Sequence, residues 1–337
     1  MKHFYNTNDF TKEELGEMID IALQLKHGTL KKDIKGKSLA MIFFNPSLRT
    51  RVSFIMAMQK LGGLAIDIAG NYTFEFNEGT VMDKGTIEHV KEAAKVLSSY
   101  CDAIAIRSSE LITSKSESVD VSSWDTLKQD IVHKKFMEFA TVPVINMESN
   151  VYHPCQGLGD AMTIKEKLGN PKKKRYVLTW TYHPKALPMA TPNSEILSSI
   201  DLGMDVVVAH PKGWELDPKI LQTMQQRAND SGGTFAIEND MAKAMEGASI
   251  VCAKSWGALK YYGNWDNEKN EKENLKHWIV DEKKMAKTDN ALFMHCLPVR
   301  RNVEVTDGVI DGKNSIVITQ AENRMWAQMA ILLKLLK

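Results

Sequence analysis

Short apolar runs alternate along the chain with segments in which apolar residues recur at helical spacing. An apolar run of about 4–8 residues between polar turns is typical of a buried strand, and a 3.6-residue repeat is typical of an amphipathic helix. The pattern predicts strands at residues 38–44, 64–68, 102–106, 142–147, 176–180, 205–209, 234–238, 249–253, 291–294 and 315–318. It predicts helices at residues 11–26, 47–61, 88–100, 126–139, 153–168, 193–202, 218–229, 241–246, 280–287 and 322–336.

This alternation of strands and helices runs through both halves of the chain. Because consecutive parallel strands are joined by a crossover helix, the order predicts parallel sheets covered by helices. The 337 residues exceed the length that one small domain usually requires. The predicted fold is therefore α/β, with two doubly wound domains and mostly parallel sheets. In such sheets ligands bind at the carboxyl ends of the strands, so the polar residues that follow each strand are the candidates for a functional site.

Composition narrows the class of protein. Hydrophobic residues make up 43% of the chain and charged residues 25%, which is ordinary for a globular protein. The formal net charge of +1 argues against a nucleic-acid binder that works through bulk charge. The first residues lack the apolar region of a signal peptide, and no apolar run is long enough to span a bilayer, so we expect a cytoplasmic protein. The four cysteines form no C-x-x-C pair, and we expect buried free thiols.

The first predicted strand leads directly into a helix with an unusual first turn. Asn45-Pro46 breaks the strand, and Ser47, Arg49, Thr50 and Arg51 follow. A helix N-terminus presents free backbone N–H groups and the positive end of the helix dipole, which favour a phosphate. Two hydroxyls and two guanidinium groups add donors that match phosphate oxygens. The alternative is a capped helix with exposed arginines, but the combination predicts an anion site with phosphate as its ligand.

Polar residues with complementary chemistry follow the other predicted strands. Taken singly, a His or Arg at such a position is more often an ordinary surface residue or a core hydrogen-bonding group. Taken together, these residues predict one cleft. The first half supplies cations for a phosphate dianion, and the second supplies a mixed set for a smaller zwitterion. The strand-end residues are Arg107, Glu148, His153, Gln156, His183, Lys254, His295, Cys296, Leu297, Pro298, Glu322, Asn323 and Arg324.

Several other chemistries are disfavoured by the sequence. It contains no G-x-G-x-x-G, no P-loop and no plausible zinc-ligand spacing, so we expect neither a metal nor an organic cofactor. His295 and Cys296 are adjacent, which raises the possibility of a nucleophile and its base. Adjacent residues on a strand point to opposite faces, so covalent catalysis by this pair is disfavoured.

Three motifs, SLRTR at 47–51, HPCQ at 153–156 and HCLP at 295–298, resemble those of the aspartate/ornithine carbamoyltransferase family in order and spacing. The resemblance covers nearly the whole chain. Other stretches are most similar to the branch of the family that acts on N-acetylornithine: EFN at 75–77, VMD at 81–83, VINME at 144–148, YVLTWTYHPK at 176–185, AKSWGAL at 253–259 and ENR at 322–324. The Asp before a Gly-Met pair that is typical of ornithine enzymes is not found.

The resemblance implies an activity and an organisation. The activity is carbamoyl transfer from carbamoyl phosphate to the δ-amine of an N-acylated ornithine, in arginine biosynthesis, without a cofactor or metal. Residues 1–150, completed by the C-terminal helix 322–337, would bind carbamoyl phosphate, and residues 155–320 would bind N-acylornithine. The resemblance also implies a homotrimer with active sites at subunit interfaces, where residues 71–84 reach into the neighbour's site.

The resemblance also implies a role for each motif residue. It assigns catalysis to Arg49, Thr50, Arg107, His153 and Cys296. It assigns carbamoyl phosphate binding to Ser47, Leu48, Arg49, Thr50, Tyr72, Arg107, His153, Pro154, Cys155, Gln156, Cys296, Leu297 and Arg324. It assigns N-acylornithine binding to Glu148, His183, Lys254 and Leu297. Tyr72 stands where the acetyl branch has a tryptophan.

Two departures bear on specificity. Ile87 occupies the position of a glutamate that rejects succinylated substrates in the acetyl branch and of a proline in the succinyl branch. Glu304 occupies the position of a lysine that can be carboxylated, and it is either a built-in carboxylate or a surface acid. The remaining alternatives are an N-succinylornithine enzyme, a non-catalytic binding protein of the same family and, least favoured, nucleic-acid binding through the basic run at 172–175.

Overall fold

The computed structural model describes residues 2–69, 76–77, 82, 87–109 and 123–336. In chain order, the first half contains α1 (Lys12–Lys26), β1 (Ser38–Phe43), α2 (Leu48–Lys60), β2 (Leu64–Ala69), β3 (Phe76–Asn77), β4 (Glu88–His89), α3 (Val90–Tyr100), β5 (Ala103–Arg107), α4 (Trp124–Leu127), α5 (Ile131–Phe139) and β6 (Val144–Glu148). The four longer strands form one parallel sheet in the order β2-β1-β5-β6, and β3 pairs with β4 separately.

A second parallel sheet forms from the rest of the chain. The elements are α6 (Pro154–Leu168), β7 (Arg175–Trp180), α7 (Ala190–Asp201), β8 (Asp205–Ala209), α8 (Pro218–Ser231), β9 (Thr234–Glu238), α9 (Met241–Ala244), β10 (Ile250–Lys254), α10 (Trp265–Lys272), α11 (Glu282–Met285), β11 (Leu292–Met294), α12 (Asp307–Ile310) and α13 (Val317–Leu335). The strand order is β11-β10-β7-β8-β9, and every neighbouring pair is parallel. The predicted α/β class with two parallel sheets is confirmed.

Helices α6 and α13 join the two sheets. Helix α13 packs against α1, α2 and α6, and its buried Ile331 lies in the same apolar cluster as Phe54 and Met162. Helix α6 also packs against α7, and a Cβ at Gly157 would lie 2.7 Å from the backbone oxygen of Ser194. Only glycine therefore permits this close approach. The contact fixes the start of α6 between the two sheets.

Some predicted elements are wrong. The apolar run 315–318 is not a strand, because α13 begins at Val317 and Ser315 makes only an isolated bridge to Phe293. A short apolar run cannot be assigned to a strand or a buried helix from its period alone, and packing against α6 decided for the helix. The helix predicted at 126–139 is two helices, separated near Asp130, whose φ is +47°. Helix α10 was not predicted, since its mostly charged sequence has no apolar period.

Within these described ranges, no helix is both long enough and apolar enough to cross a bilayer. The carboxyl ends of β1, β5 and β6 in the first sheet and of β7, β10 and β11 in the second open onto the same cleft, because residues after each of these strands line it. This convergence positions the candidate site.

Candidate active site

A cleft of about 610 Å³ lies between the two sheets. It is lined by Pro46, Ser47, Leu48, Arg49, Thr50, Arg107, Glu148, His153, Gln156, His183, Leu187, Pro188, Thr191, Lys254, Cys296, Leu297, Pro298, Val299, Arg300, Glu304 and Arg324. Its arginines and lysine outnumber its carboxylates by five to two, so the cleft favours an anion. The structure thus brings together most of the residues predicted from the sequence, although they lie up to 277 positions apart (324 − 47).

The first turn of α2 forms one wall of the cleft. Asn45 holds the preceding turn, because its side-chain oxygen accepts a 2.7 Å hydrogen bond from the backbone N–H of Ser109. Ser47 is the N-cap residue of α2, and Arg49 also lines the cleft. The prediction that Arg51 contributes to the anion site is wrong. Its guanidinium pairs with Asp67 and lies 4.2 Å from the ring centre of Phe43, away from the cleft.

Helix α13 adds a guanidinium group to this wall. Nη2 of Arg324 donates a 2.7 Å hydrogen bond to the hydroxyl oxygen of Thr50. Both side chains are buried, so this charge-assisted bond is shielded from water. This hydrogen bond places Arg324, near the end of the chain, in the same site as the first turn of α2.

The ends of β5 and β6 contribute an ion pair. Arg107 contacts the carboxylate of Glu148, and Oε2 of the same carboxylate lies 3.7 Å from Nε2 of His153. Burial, together with the charges of Arg324, Arg107 and Lys254, holds the pKa of His153 well below its usual value. His153 is therefore a neutral imidazole at neutral pH, able to donate one hydrogen bond without adding charge.

The beginning of α6 places His153 and Gln156 in the cleft. The backbone N–H of His153 donates a 2.8 Å hydrogen bond to the hydroxyl of Ser194. Pro154 and Cys155, for which the family resemblance implies a ligand role, do not line the cleft. Both are buried, and the Cys155 thiol lies 3.4 Å from the backbone oxygen of Asn146.

The second sheet contributes a different set of groups. Lys254 ends β10; burial lowers its pKa, but the acidic groups around it, Cys296 and Glu304 foremost, more than offset this and raise it. His183 accepts a 2.9 Å hydrogen bond from Nε of Arg300 through Nε2. Its other ring nitrogen, Nδ1, lies 2.9 Å from the backbone oxygen and 3.0 Å from the backbone nitrogen of Lys185.

The Cys296 thiol lines the cleft but is poorly suited to act as a nucleophile. Burial, despite the opposing charge of Lys254, raises its pKa to about 12. The thiolate is the reactive form of cysteine, so the reactive fraction at neutral pH is very small. His295 also does not activate it, because Nδ1 of His295 accepts a 2.9 Å hydrogen bond from the backbone N–H of Leu297.

Glu304 is a buried carboxylate of the cleft, with 2% of its surface exposed, so its interpretation as a surface acid is wrong. Its Oε2 accepts a 2.8 Å hydrogen bond from the backbone N–H of Arg300, and its Oε1 lies 3.5 Å from Nε2 of His295. Burial opposes ionisation, but His295, Lys254 and the Arg300 N–H outweigh it and lower the pKa of Glu304 to about 2. The carboxylate is therefore charged at neutral pH.

Tyr72 and Ile87 are two further residues named from the sequence. Tyr72 lies outside the described residues. Ile87 is 63% exposed and does not line the cleft of its own chain. Arg300 and Thr191 line the cleft but were not predicted. The position of Arg300, two residues after the HCLP motif, was a usable signal, whereas Thr191 follows no strand and had none.

Comparisons with known proteins extend over nearly the whole chain. Residues 2–166 match the family model described as the aspartate/ornithine carbamoyltransferase, carbamoyl-P binding domain, and residues 190–335 match the Asp/Orn binding domain of the same family. The chain is 44% identical to an N-acetylornithine carbamoyltransferase of Xanthomonas campestris pv. campestris over 98% of this chain and 97% of that protein. It is 38% identical to an N-succinylornithine carbamoyltransferase of Bacteroides fragilis over 90% and 88%. It is also similar to the crystal structure of an acetylornithine transcarbamylase complexed with acetylcitrulline, with a TM-score of 0.93, 43% identity and 99% coverage of both chains.

Proposed function

The chain belongs to the aspartate/ornithine carbamoyltransferase family, and we propose that it transfers the carbamoyl group of carbamoyl phosphate to the δ-amine of N-acetyl-L-ornithine. The products are N-acetyl-L-citrulline and phosphate, and the reaction serves arginine biosynthesis. The family predicted from the sequence is confirmed. The observation that carries the proposal is the single cleft in which phosphate-binding groups of the first sheet face Lys254 and His183 of the second.

The first half of the cleft is assigned to carbamoyl phosphate. Its walls are the N-terminus of α2, Arg107, His153, Gln156 and Arg324. Free backbone N–H groups and the arginine guanidinium groups neutralise the phosphate and improve it as a leaving group. Residues 1–150 with the C-terminal helix form this domain in the proposal, and Tyr72 stays a proposed ligand. Pro154 and Cys155 do not line the cleft and are not assigned to the ligand here.

The second half of the cleft is assigned to the acceptor. Lys254 keeps its positive charge and is suited to bind the α-carboxylate of N-acetylornithine, while Leu297 and His183 contact its chain. Glu148 already contacts Arg107 and approaches His153, which belong to the first half, and in the proposal it also binds the acceptor. Residues 155–320 form this domain in the proposal.

In the proposed mechanism the neutral δ-amine attacks the carbonyl carbon of carbamoyl phosphate. Thr50, Arg107 and His153 donate to the carbonyl oxygen as it gains negative charge. The bond from carbon to the phosphate oxygen then breaks, and the departing phosphate accepts the amine proton. The backbone carbonyls of Cys296 and Leu297 align the carbamoyl NH2 group. No covalent enzyme intermediate is required, in agreement with the raised pKa of the Cys296 thiol.

The proposal includes a homotrimer in the cytoplasm, with residues 71–84 of one subunit completing the site of the next. An exposed apolar surface beside the cleft supports a subunit contact. Leu48 is 72% exposed, and Val52, one helical turn further along α2, is 50% exposed. Exposed apolar residues grouped in this way are typical of a protein interface. All four cysteines are buried free thiols, which agrees with a reducing compartment.

An acceptor comparison tests the proposed substrate. The value of kcat/KM is measured with N-acetyl-, N-succinyl- and unmodified L-ornithine at saturating carbamoyl phosphate. The proposal predicts the highest value for N-acetyl-L-ornithine. Turnover of free ornithine above both acylated forms contradicts it.

The nearest alternative is N-succinyl-L-ornithine as the acceptor. Ile87 supports this alternative, because its neutral side chain would not repel the succinyl carboxylate. In the proposed trimer Ile87 faces the acyl group in the neighbouring site. Ile87→Glu then places a negative charge near the succinyl carboxylate and is expected to lower kcat/KM for the succinyl substrate more than for the acetyl substrate. The control Ile87→Leu keeps the residue neutral and should leave the ratio unchanged.

A further inference from the structure

Asp160 is a fully buried acid that does not line the cleft but contacts two glutamines that lead to it. It lies one helical turn after Gln156 on α6. Its Oδ1 accepts a 2.8 Å hydrogen bond from Nε2 of Gln156 and a 2.7 Å hydrogen bond from Nε2 of Gln320, which is on α13. One carboxylate oxygen therefore connects the side chains of two helices.

These two bonds determine which way each amide is turned. Oδ1 accepts from Nε2 of both glutamines, so both amides present their NH2 groups to Asp160 and turn their carbonyl oxygens away. For Gln320 the orientation is fixed independently, because its Oε1 accepts a 2.9 Å hydrogen bond from the backbone N–H of His295. For Gln156 the orientation leaves Oε1 buried and, within the described part of the chain, without a hydrogen-bond partner. Gln156 lines the cleft, so a donor of a ligand bound beside this oxygen would satisfy it.

The hydrogen bonds from Asp160 through Gln320 continue to the cleft by way of the loop after β11. Nδ1 of His295 accepts a 2.9 Å hydrogen bond from the backbone N–H of Leu297, and Leu297 has the left-handed φ of +55°. This conformation is unfavourable for a residue with a side chain and persists only where neighbouring contacts hold it. Gln320 supports this conformation indirectly, because it holds the backbone of His295, which in turn holds Leu297. The backbone carbonyls of this loop and Oε1 of Gln156 are both hydrogen-bond acceptors.

We propose that Asp160 is a positioning residue that makes the cleft selective for the NH2 group of carbamoyl phosphate. It acts through two glutamines. Gln156 is held so that its carbonyl oxygen faces the NH2 group, and Gln320 supports the loop whose backbone carbonyls also accept from that group. Without Asp160 the Gln156 amide can rotate and present its own NH2 group, which opposes the ligand's donors. The inference rests on the proposed function, since it concerns the same ligand and site.

The test uses ligands that differ only in the group concerned. Acetyl phosphate has a methyl group in place of the NH2 group of carbamoyl phosphate, and inorganic phosphate lacks the acyl group altogether. Dissociation constants for the three are measured by calorimetry on the wild type, Asp160→Ala and Asp160→Asn, without an acceptor. The asparagine variant retains a carbonyl oxygen that accepts from both glutamines.

Asp160→Ala is expected to weaken carbamoyl phosphate about tenfold or more, while acetyl phosphate and phosphate change less than about twofold. Asp160→Asn is expected to retain most of the affinity for carbamoyl phosphate. Equal losses for all three ligands overturn the proposal, since they indicate a general structural role. Unchanged binding of carbamoyl phosphate by Asp160→Ala overturns it as well.

Gln320→Met provides a second, independent variant in case Asp160→Ala does not fold. It removes the hydrogen bonds of the Gln320 amide to Asp160 and His295 and keeps the length of the side chain. Selective weakening of carbamoyl phosphate supports the proposal, and unchanged constants for all three ligands contradict it. The proposed function is judged separately, because failure of the wild type to bind carbamoyl phosphate at all would refute the function, whereas normal wild-type binding with unselective variants would refute only the role of Asp160.

Discussion

Replacing Thr50 with valine removes a hydroxyl group and nearly preserves the shape of the side chain. The hydroxyl oxygen of Thr50 accepts a 2.7 Å hydrogen bond from Arg324, and both residues are buried. A hydroxyl has one hydrogen to donate. Because the oxygen already accepts from Arg324, this hydrogen is available to an acceptor in the cleft, which Thr50 lines. In the proposed reaction the acceptor is the carbonyl oxygen of carbamoyl phosphate.

The size of the effect follows from the charge that develops on that oxygen. Loss of one donor to a developing oxyanion costs about 2.7–4 kcal/mol, or about 100- to 1,000-fold in kcat. Loss of the bond from Arg324 also leaves a buried N–H without its partner, which costs roughly 1.5–3 kcal/mol of the free energy of unfolding. Thr50→Val is therefore predicted to lower kcat about 100- to 1,000-fold and to remain folded. The assay is steady-state formation of N-acetyl-L-citrulline at saturating concentrations of both substrates.

Thr50→Ser is the matched control, because it removes a methyl group and keeps the hydroxyl. Its kcat is expected to stay within about tenfold of the wild type. Circular dichroism and thermal unfolding establish that both variants are folded. A folded Thr50→Val protein whose kcat also lies within tenfold of the wild type would refute the assigned role of the hydroxyl.

Three other features of the molecule have measurable consequences. Arg49→Ala should weaken carbamoyl phosphate binding at least tenfold, whereas Arg51→Ala, which changes an arginine outside the cleft, should leave it nearly unchanged in a titration; equal effects would contradict the assignment. Burial lowers the pKa of His183 from 6.5 to about 4, so its stabilising contribution is complete above pH 6.5 and is lost as the pH falls toward 4. This contribution to the free energy of unfolding is roughly 3 kcal/mol at most. In urea unfolding, the free energy of His183→Gln should therefore decline less between pH 6.5 and 4 than that of the wild type. Lys272 forms a buried ion pair with Glu268, so Lys272→Met should cost about 3–5 kcal/mol of unfolding free energy, and a second change, Glu268→Gln, should recover part of it.

The sequence predicted the parts of the fold that depend on local pattern. Strands such as β8 and β9 were predicted at the observed residues, because each is a short run between clear turns. The start of α13 could not be predicted in this way. The run 315–318 favours a strand by composition, and its helical state depends on packing against α6, about 160 residues away along the chain.

The candidate site was predictable where chemistry follows a strand end and not where it depends on side-chain partners. The SLRTR motif predicted Arg49 and Thr50, but it equally predicted Arg51, which pairs with Asp67. The local sequence does not show which of the two arginines faces the cleft. Because they lie two positions apart on a helix, their directions from the helix axis differ by about 200°, so only one of them can do so. In the same way, the burial of Glu304 follows from its contacts with Arg300 and His295, which the linear pattern does not contain.

The most direct test of the proposed function is the stoichiometry of the reaction itself. Wild-type protein is incubated with carbamoyl phosphate and N-acetyl-L-ornithine, and N-acetyl-L-citrulline and phosphate are quantified after subtraction of spontaneous hydrolysis. We expect the two products to form in equal amounts and Arg49→Ala to reduce both greatly. Absence of a citrulline-type product with N-acetyl-, N-succinyl- and unmodified ornithine alike would contradict it and would favour a non-catalytic binding protein.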